Sequence, residues 1–136
     1  MPYLEPREVI QLTLSELTTL SAGNGKDVIT VPCDMEIYSV HMKLGTTGGT
    51  SGNTDVNVYY TAPSGGSTSS GNLWTVGTGV GRIAYNAANK YLDFTRDNMN
   101  VTFIERGGTL SLNVIAVPGT ASTNLTITIT GAPIKS

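Results

Sequence analysis

Along most of this chain polar and apolar side chains alternate, and a period of two admits few architectures. Successive side chains of an extended strand point to opposite faces, so an alternating run buries one face and wets the other. "VIQLTL" (9–14) sets Ile10, Leu12 and Leu14 on one side. "MEIYSVHMKL" (35–44) groups Tyr38, Val40, Met42 and Leu44 against Ser39, His41 and Lys43. "TDVNVYYT" (54–61) groups Val56, Val58 and Tyr60. "TLSLNVIAV" (109–117) groups Leu110, Leu112 and Val114, and "NLTITIT" (124–130) groups Leu125, Ile127 and Ile129. These runs are rich in the β-branched residues that suit a half-buried pleated surface.

Turn residues fall between the runs. "AGNGKD" (22–27), "GTTGGTSGN" (45–53) and "ERGG" (105–108) supply Gly and Asn for positive-φ turns. "APSGGSTSSGN" (62–72) is too long for a tight hairpin and reads as a flexible exposed loop. Pro32, Pro63 and Pro118 sit at strand margins, where a missing N–H costs no ladder bond. Short strands with turns between them predict an antiparallel sandwich or barrel. At 136 residues the chain has the size of one domain, read as residues 9–136 after an arm at 1–8.

One stretch competes with this reading. "VGTGVGRIAYNAANKYLDF" (76–94) fits G-x-G-x-x-A at Gly79, Gly81 and Ala84, with Asp97 where a ribose-binding acid would lie. A dinucleotide loop works because its glycines turn a strand into a helix whose N-terminal amides meet the pyrophosphate. That fold needs strands alternating with helices, and the flanking sequence supplies strands. "REVIQLTLSELTTL" can be read locally as a helix, but Asn86 and Asn89 are poor interior residues for the helix this motif requires. The alternative is a glycine-spaced strand, with Val76, Thr78, Val80 and Arg82 opposite Gly77, Gly79 and Gly81. The stretch is read as structural.

Composition narrows the partners. Charged residues make up 13% of the chain and the net charge is −2, against ~25% charged in ordinary soluble domains. The eight Lys and Arg residues are scattered; binding a phosphate backbone needs them clustered, so no nucleic-acid partner is expected. No apolar run approaches the ~20 residues of a membrane helix, so no membrane partner is expected. "MPYLEPREV" lacks the basic and apolar regions of a secretory leader, which points to synthesis in a cytoplasm. A surface polar through hydroxyls and amides loses little hydration when another protein covers it, which favours assembly.

Catalytic groups are sparse. Cys33 and His41 are single, so no zinc site of familiar spacing forms and no cofactor is expected. No G-x-S-x-G marks a nucleophile. Asp93, Asp97 and Asn98 offer oxygen ligands without the spacing of a calcium loop. The expectation is that the protein is not an enzyme. Among the aromatics, Trp74 and Tyr59 form a candidate sugar-stacking platform, the basis of an alternative reading as a carbohydrate-binding module.

Two segments carry a family resemblance. "VTFIERGGTLSLNVIAVPGTASTNLTITITG" (101–131) resembles the closing strands of jelly-roll virion proteins of tailed bacteriophages: a glycine turn, an alternating strand, a loop and a final Thr/Ile strand. "DVITVPCDMEIYSVHMKLG" (27–45) resembles their early strands, which carry apolar side chains inward after a proline. The resemblance implies an antiparallel β-sandwich of jelly-roll type in a capsid decoration (cement) protein, commonly a homotrimer on the outer surface of the virion. Its partners would be the major capsid protein and further copies of itself. Tyr3, Leu4 and Arg7 in the arm, with the 45–53 and 62–72 loops, are the expected contact regions. A tail, neck or head-fibre role is the second virion reading.

Overall fold

A computed structural model describes residues 8–134. The expected arm residues Tyr3, Leu4 and Arg7 lie outside them. The ten strands are β1 (Ile10–Thr19), β2 (Gly23–Thr30), β3 (Met35–Lys43), β4 (Asn53–Thr61), β5 (Gly71–Asn72), β6 (Arg82–Ala84), β7 (Tyr91–Thr95), β8 (Phe103–Ile104), β9 (Thr109–Ala116) and β10 (Thr123–Pro133). The helical content of the described residues is a single 3-10 turn, Arg96–Asn98. This removes the strand-to-helix junction that a dinucleotide loop requires.

The strands form two antiparallel sheets. The first, sheet A, runs β1-β10-β3-β7, with β8 also pairing with β3; the second, sheet B, runs β2-β9-β4-β5, with β6 also pairing with β4. β5 and β6 are two pieces of one strand position beside β4, and β7 and β8 are two pieces of one position beside β3. Counting positions, the first pairs with the eighth, the second with the seventh, the third with the sixth, and the fourth with the fifth. A long hairpin rolled over itself has this pairing. It is a jelly roll.

The alternating runs make the core. Leu12 and Leu14 of β1, Leu125, Ile127 and Ile129 of β10, and Val40 and Met42 of β3 face Val56, Val58 and Tyr60 of β4 and Leu110, Leu112 and Val114 of β9. All are buried. Each buried aliphatic side chain of this size contributes roughly 1.5–3 kcal/mol, which is why these strands hold register.

Three local readings are corrected. Tyr38 does not share the inner face with Val40, Met42 and Leu44: Met35 and Ile37 are buried instead, and the register slips between Thr130↔Ser39 and Gly131↔Ile37. An extra residue at Tyr38 is a β-bulge, which reverses the alternation on one strand alone. Across from it, a side chain at Gly131 would meet the Glu36 carbonyl at 2.2 Å, so only glycine lets the strands close there.

"AGNGKD" is not the turn between β1 and β2. Its Gly23–Asp27 portion lies within β2, where the register with β9 jumps from Gly23↔Val114 to Asp27↔Leu112 and Gly25 has φ +66°. The chain reverses earlier, between Thr19 and Gly23.

"VGTGVG" is a tight turn rather than a glycine-faced strand. Gly77 and Val80 exchange two backbone hydrogen bonds of 2.9 Å around Thr78 and Gly79. Gly81 is forced by packing, because a Cβ there would lie 2.3 Å from Trp74 Nε1 and 2.5 Å from the Val56 carbonyl oxygen.

Candidate functional site

The connections gather at two ends of the sandwich. One end holds the β3–β4 loop (45–53) and the β9–β10 loop (117–122). Gly49 and Thr120 exchange two backbone hydrogen bonds of 2.9 Å, and the Gly119 N–H donates to the Ser51 carbonyl. Thr54 and Ser122, both fully buried, pair through their hydroxyls at 2.6 Å. Gly48 sits at φ +81° with the Thr120 carbonyl 2.3 Å from where its Cβ would be. The two loops are zipped together by main-chain bonds. We call this the clasped end.

The other end holds the start of β1, the end of β10, the 3-10 turn and the β4–β5 loop (62–70). Here side chains do the tying. Glu105 Oε1 accepts from the Ser67 N–H (2.8 Å), the Thr68 N–H (2.7 Å) and the Thr68 hydroxyl (2.6 Å). These bonds, the Thr68 hydroxyl first, hold the Glu105 carboxyl below its usual range. Tyr60 links its hydroxyl to Thr68 at 2.7 Å and accepts the Glu105 N–H at 2.9 Å. Asp34 accepts the Ile134 N–H on its carbonyl and the Arg106 N–H on its carboxylate. The 62–72 loop is therefore exposed but tethered, contrary to its flexible reading. The two loops expected to make contacts stand at opposite ends, and the N-terminal segment joins β1 at the terminal end.

Trp74 is not a platform. It is fully buried, donates its indole N–H to the Val56 carbonyl at 2.8 Å, and meets Phe94 edge-on at 5.0 Å between centroids. Val56 belongs to sheet B and Phe94 to sheet A, so the indole bridges the two sheets. Tyr59, the other candidate, is 38% exposed on the outer face of sheet B, in a cross-strand row with Val28, Ser111 and Asn72. The structure separates the two residues that the platform needed together. A lone tryptophan in an alternating sequence gives no sign of which side of a sheet it takes.

The outer face of sheet A is ordered by register. One row reads Thr13–Thr128–His41–Asp93 and the next Ser15–Thr126–Lys43–Tyr91. His41 Nδ1 and Asp93 Oδ1 are 2.6 Å apart, with the imidazole stacked on Tyr91 at 5.8 Å. The pair is a surface contact between neighbouring strands. Towards the terminal end the row becomes Ala132–Glu36–Phe103. Glu36 pairs with Arg96, whose guanidinium lies 5.9 Å from the centre of the Tyr38 ring.

Other features are small. Arg82 grips Asp55 through two bonds of 2.8 and 3.0 Å, which raise its pKa further. A shallow depression beside it is lined by Ile83, Ala87, Tyr91 and Leu92. Among the described residues no three His, Cys, Asp or Glu side chains gather as a metal site. No helix there is long and apolar enough to cross a membrane.

No family model matches the chain, and no curated protein matches its sequence. A chain from the capsid of Ralstonia phage GP4 superposes with a TM-score of 0.60 at 15% identity, covering 99% of this chain and 91% of that one. What the two share is the fold. A chain from the disulfide-linked pili of Bacillus endospore appendages aligns over 98% of this chain and 96% of its own at 15% identity. Its TM-score of 0.33 is too low to indicate a common arrangement.

Proposed function

We propose that this protein is a non-enzymatic structural component of a phage virion, a decoration protein that binds the outside of the head and strengthens it. The observation that carries the reading is the likeness, along nearly the whole of both chains, to a chain of a phage capsid. The alignment covers 99% of this chain and 91% of that one. The surface suits the role. With 13% charged residues in the chain and many Thr and Ser side chains on the outer faces, contact with a lattice strips water from few ions.

The mechanism is passive. Weak contacts repeated over a regular lattice give strong attachment through multivalency. Tyr3, Leu4 and Arg7, with the 45–53 and 62–72 loops, are the proposed contact regions, the major capsid protein and further copies of this chain the partners, and a trimer the proposed assembly. Because the two loops stand at opposite ends, one is proposed to face the lattice and the other to face outward.

Gradient sedimentation of purified particles tests the reading. The chain is expected to travel with intact heads and with heads freed of tails. Recovery only with detached tails would replace decoration with a tail or neck role.

A further inference from the structure

Sheet B carries one feature that takes no part in the core or in the proposed contacts. β2 leaves its ladder with β9 after the Gly23↔Val114 pair and rejoins it at Asp27↔Leu112. The bulge between them is anchored on its far side. Lys26 Nζ donates to Ser21 Oγ at 2.8 Å, and Asp27 accepts the Ser15 N–H at 2.9 Å. Asn24 and Gly25 form the crest, and both are exposed. They are the single Asn-Gly pair of the sequence.

Asparagine followed by glycine is chemically labile. The glycine nitrogen can lose its proton and attack the asparagine Cγ, because no side chain on the attacking residue obstructs the approach. An N–Cγ bond forms, the Cγ–NH2 bond breaks, and ammonia leaves with the proton. Water then opens the cyclic succinimide at either carbonyl and leaves aspartate or isoaspartate. A larger residue at 25 would slow the attack, but the bulge disfavours one. Space is not the reason, since a Cβ there would meet only Ser111 Oγ, at 4.0 Å. The reason is the backbone, which at φ +66° favours glycine. The geometry of the bulge therefore keeps the labile pair in place.

The attacking nitrogen is held by a partner. The Gly25 N–H donates to Asn113 Oδ1 on the neighbouring strand β9 at 3.0 Å. The same oxygen accepts the Ser111 hydroxyl at 3.3 Å, so two donors fix which way the Asn113 amide faces. While the bond to Asn113 stands, the Gly25 nitrogen keeps its proton and its peptide plane cannot turn towards the Asn24 side chain.

We propose that Asn24 is a modification site, converted without an enzyme to aspartate or isoaspartate, and that Asn113 sets the rate by holding the Gly25 N–H. The product adds one negative charge to a chain of net charge −2. Isoaspartate also lengthens the main chain by one carbon, in a stretch that makes no ladder pair between Gly23 and Asp27. None of this depends on the chain's place in a virion.

The full-length folded protein, incubated at mildly alkaline pH and mapped by mass spectrometry, provides the test. Isoaspartate is read by labelling with its specific methyltransferase. Conversion is expected at Asn24 ahead of every other asparagine, and more slowly than in a synthetic peptide of residues 21–28. Asn113→Ala is expected to speed it roughly two- to tenfold, the factor that one ordinary hydrogen bond supplies. Asn113→Asp keeps an oxygen acceptor, and Ser111→Ala leaves the Gly25 bond in place; both are expected to convert no faster than the wild type.

Equal rates in the wild type and Asn113→Ala overturn the proposal, as does conversion led by another asparagine. Equal rates in the folded protein and the peptide overturn it too. Acceleration spread over all asparagines in Asn113→Ala would trace to general loosening, and Asn113→Asp then decides. A rate as slow as the wild type's upholds the guarding bond; one as fast as the alanine variant's overturns it.

Discussion

The two ends of the sandwich are both ordered, but by different means. At the clasped end main chain holds main chain: two loops exchange backbone bonds, and one buried hydroxyl pair, Thr54–Ser122, locks them to the core. At the terminal end one carboxylate, Glu105, gathers three donors from a loop that spans its own strands loosely. Neither end is free of exposed apolar side chains: Leu17 of β1 is 70% exposed towards the clasped end, and Val9 and Ile134 are 64% and 43% exposed at the terminal end. The difference lies in how each end is tied. Backbone bonds fail only when the loops themselves are distorted, whereas a side-chain tether fails with the loss or protonation of one carboxylate.

The largest effect is expected where both ends lean on one core. Trp74→Ala removes an indole buried between the sheets and the acceptor pairing of its N–H, at a cost of about 3–5 kcal/mol. Both ends should then melt together and earlier in thermal unfolding. Ends that melt separately would show two units and break the comparison.

Next comes the clasp. Gly48→Ala puts a Cβ on a φ +81° backbone and against the Thr120 carbonyl. The left-handed backbone alone costs roughly 1–2 kcal/mol, and the collision adds to it, so about 2 kcal/mol or more is expected in chemical denaturation. Hydrogen exchange should quicken at 45–53 and 117–122 and stay unchanged at 62–70.

Thr54→Val is smaller. It leaves the Ser122 hydroxyl buried without its partner, a loss of about 1–3 kcal/mol. Removing both hydroxyls, with Thr54→Val and Ser122→Ala together, should restore part of that stability. A double variant as weak as the sum of the singles would mean that the pair does not act as a unit.

The smallest effect belongs to Glu105, and it depends on pH. Its folded carboxyl titrates below the unfolded value, near 4.3 for glutamate. Its contribution is therefore complete above that value and is lost as pH falls through the lowered folded value. The Ser67 and Thr68 amides should become exposed to exchange on acidification while the clasped end holds. In Glu105→Ala, which removes the acceptor, they should be exposed already at neutral pH, with little change in the global midpoint.

The sequence made the long strands of the fold legible because each buries one face against many neighbours. β1, β4, β9 and β10 follow their alternation. β3 follows it only from Val40 onward, since the bulge at Tyr38 is a two-strand event whose cause, the glycine at 131, lies far away in sequence. Gly23–Asp27 and Gly77–Gly81 were ambiguous for a related reason: glycine permits a turn, a bulge or a close approach, and only the packing partner decides. For Gly81 that partner is Trp74, and its burial in turn removes the platform reading. The Glu105 tether could not be read, because polar contacts across 37 or 38 residues leave no local pattern. Of the candidate contacts, Tyr3, Leu4 and Arg7 lie outside the described residues.

The most direct measurement of the central claim is immunogold electron microscopy of particles from the source lysate, with antibody raised against this chain. A decoration protein predicts gold spread over the heads. Unlabelled particles beside abundant free protein would contradict the virion reading altogether.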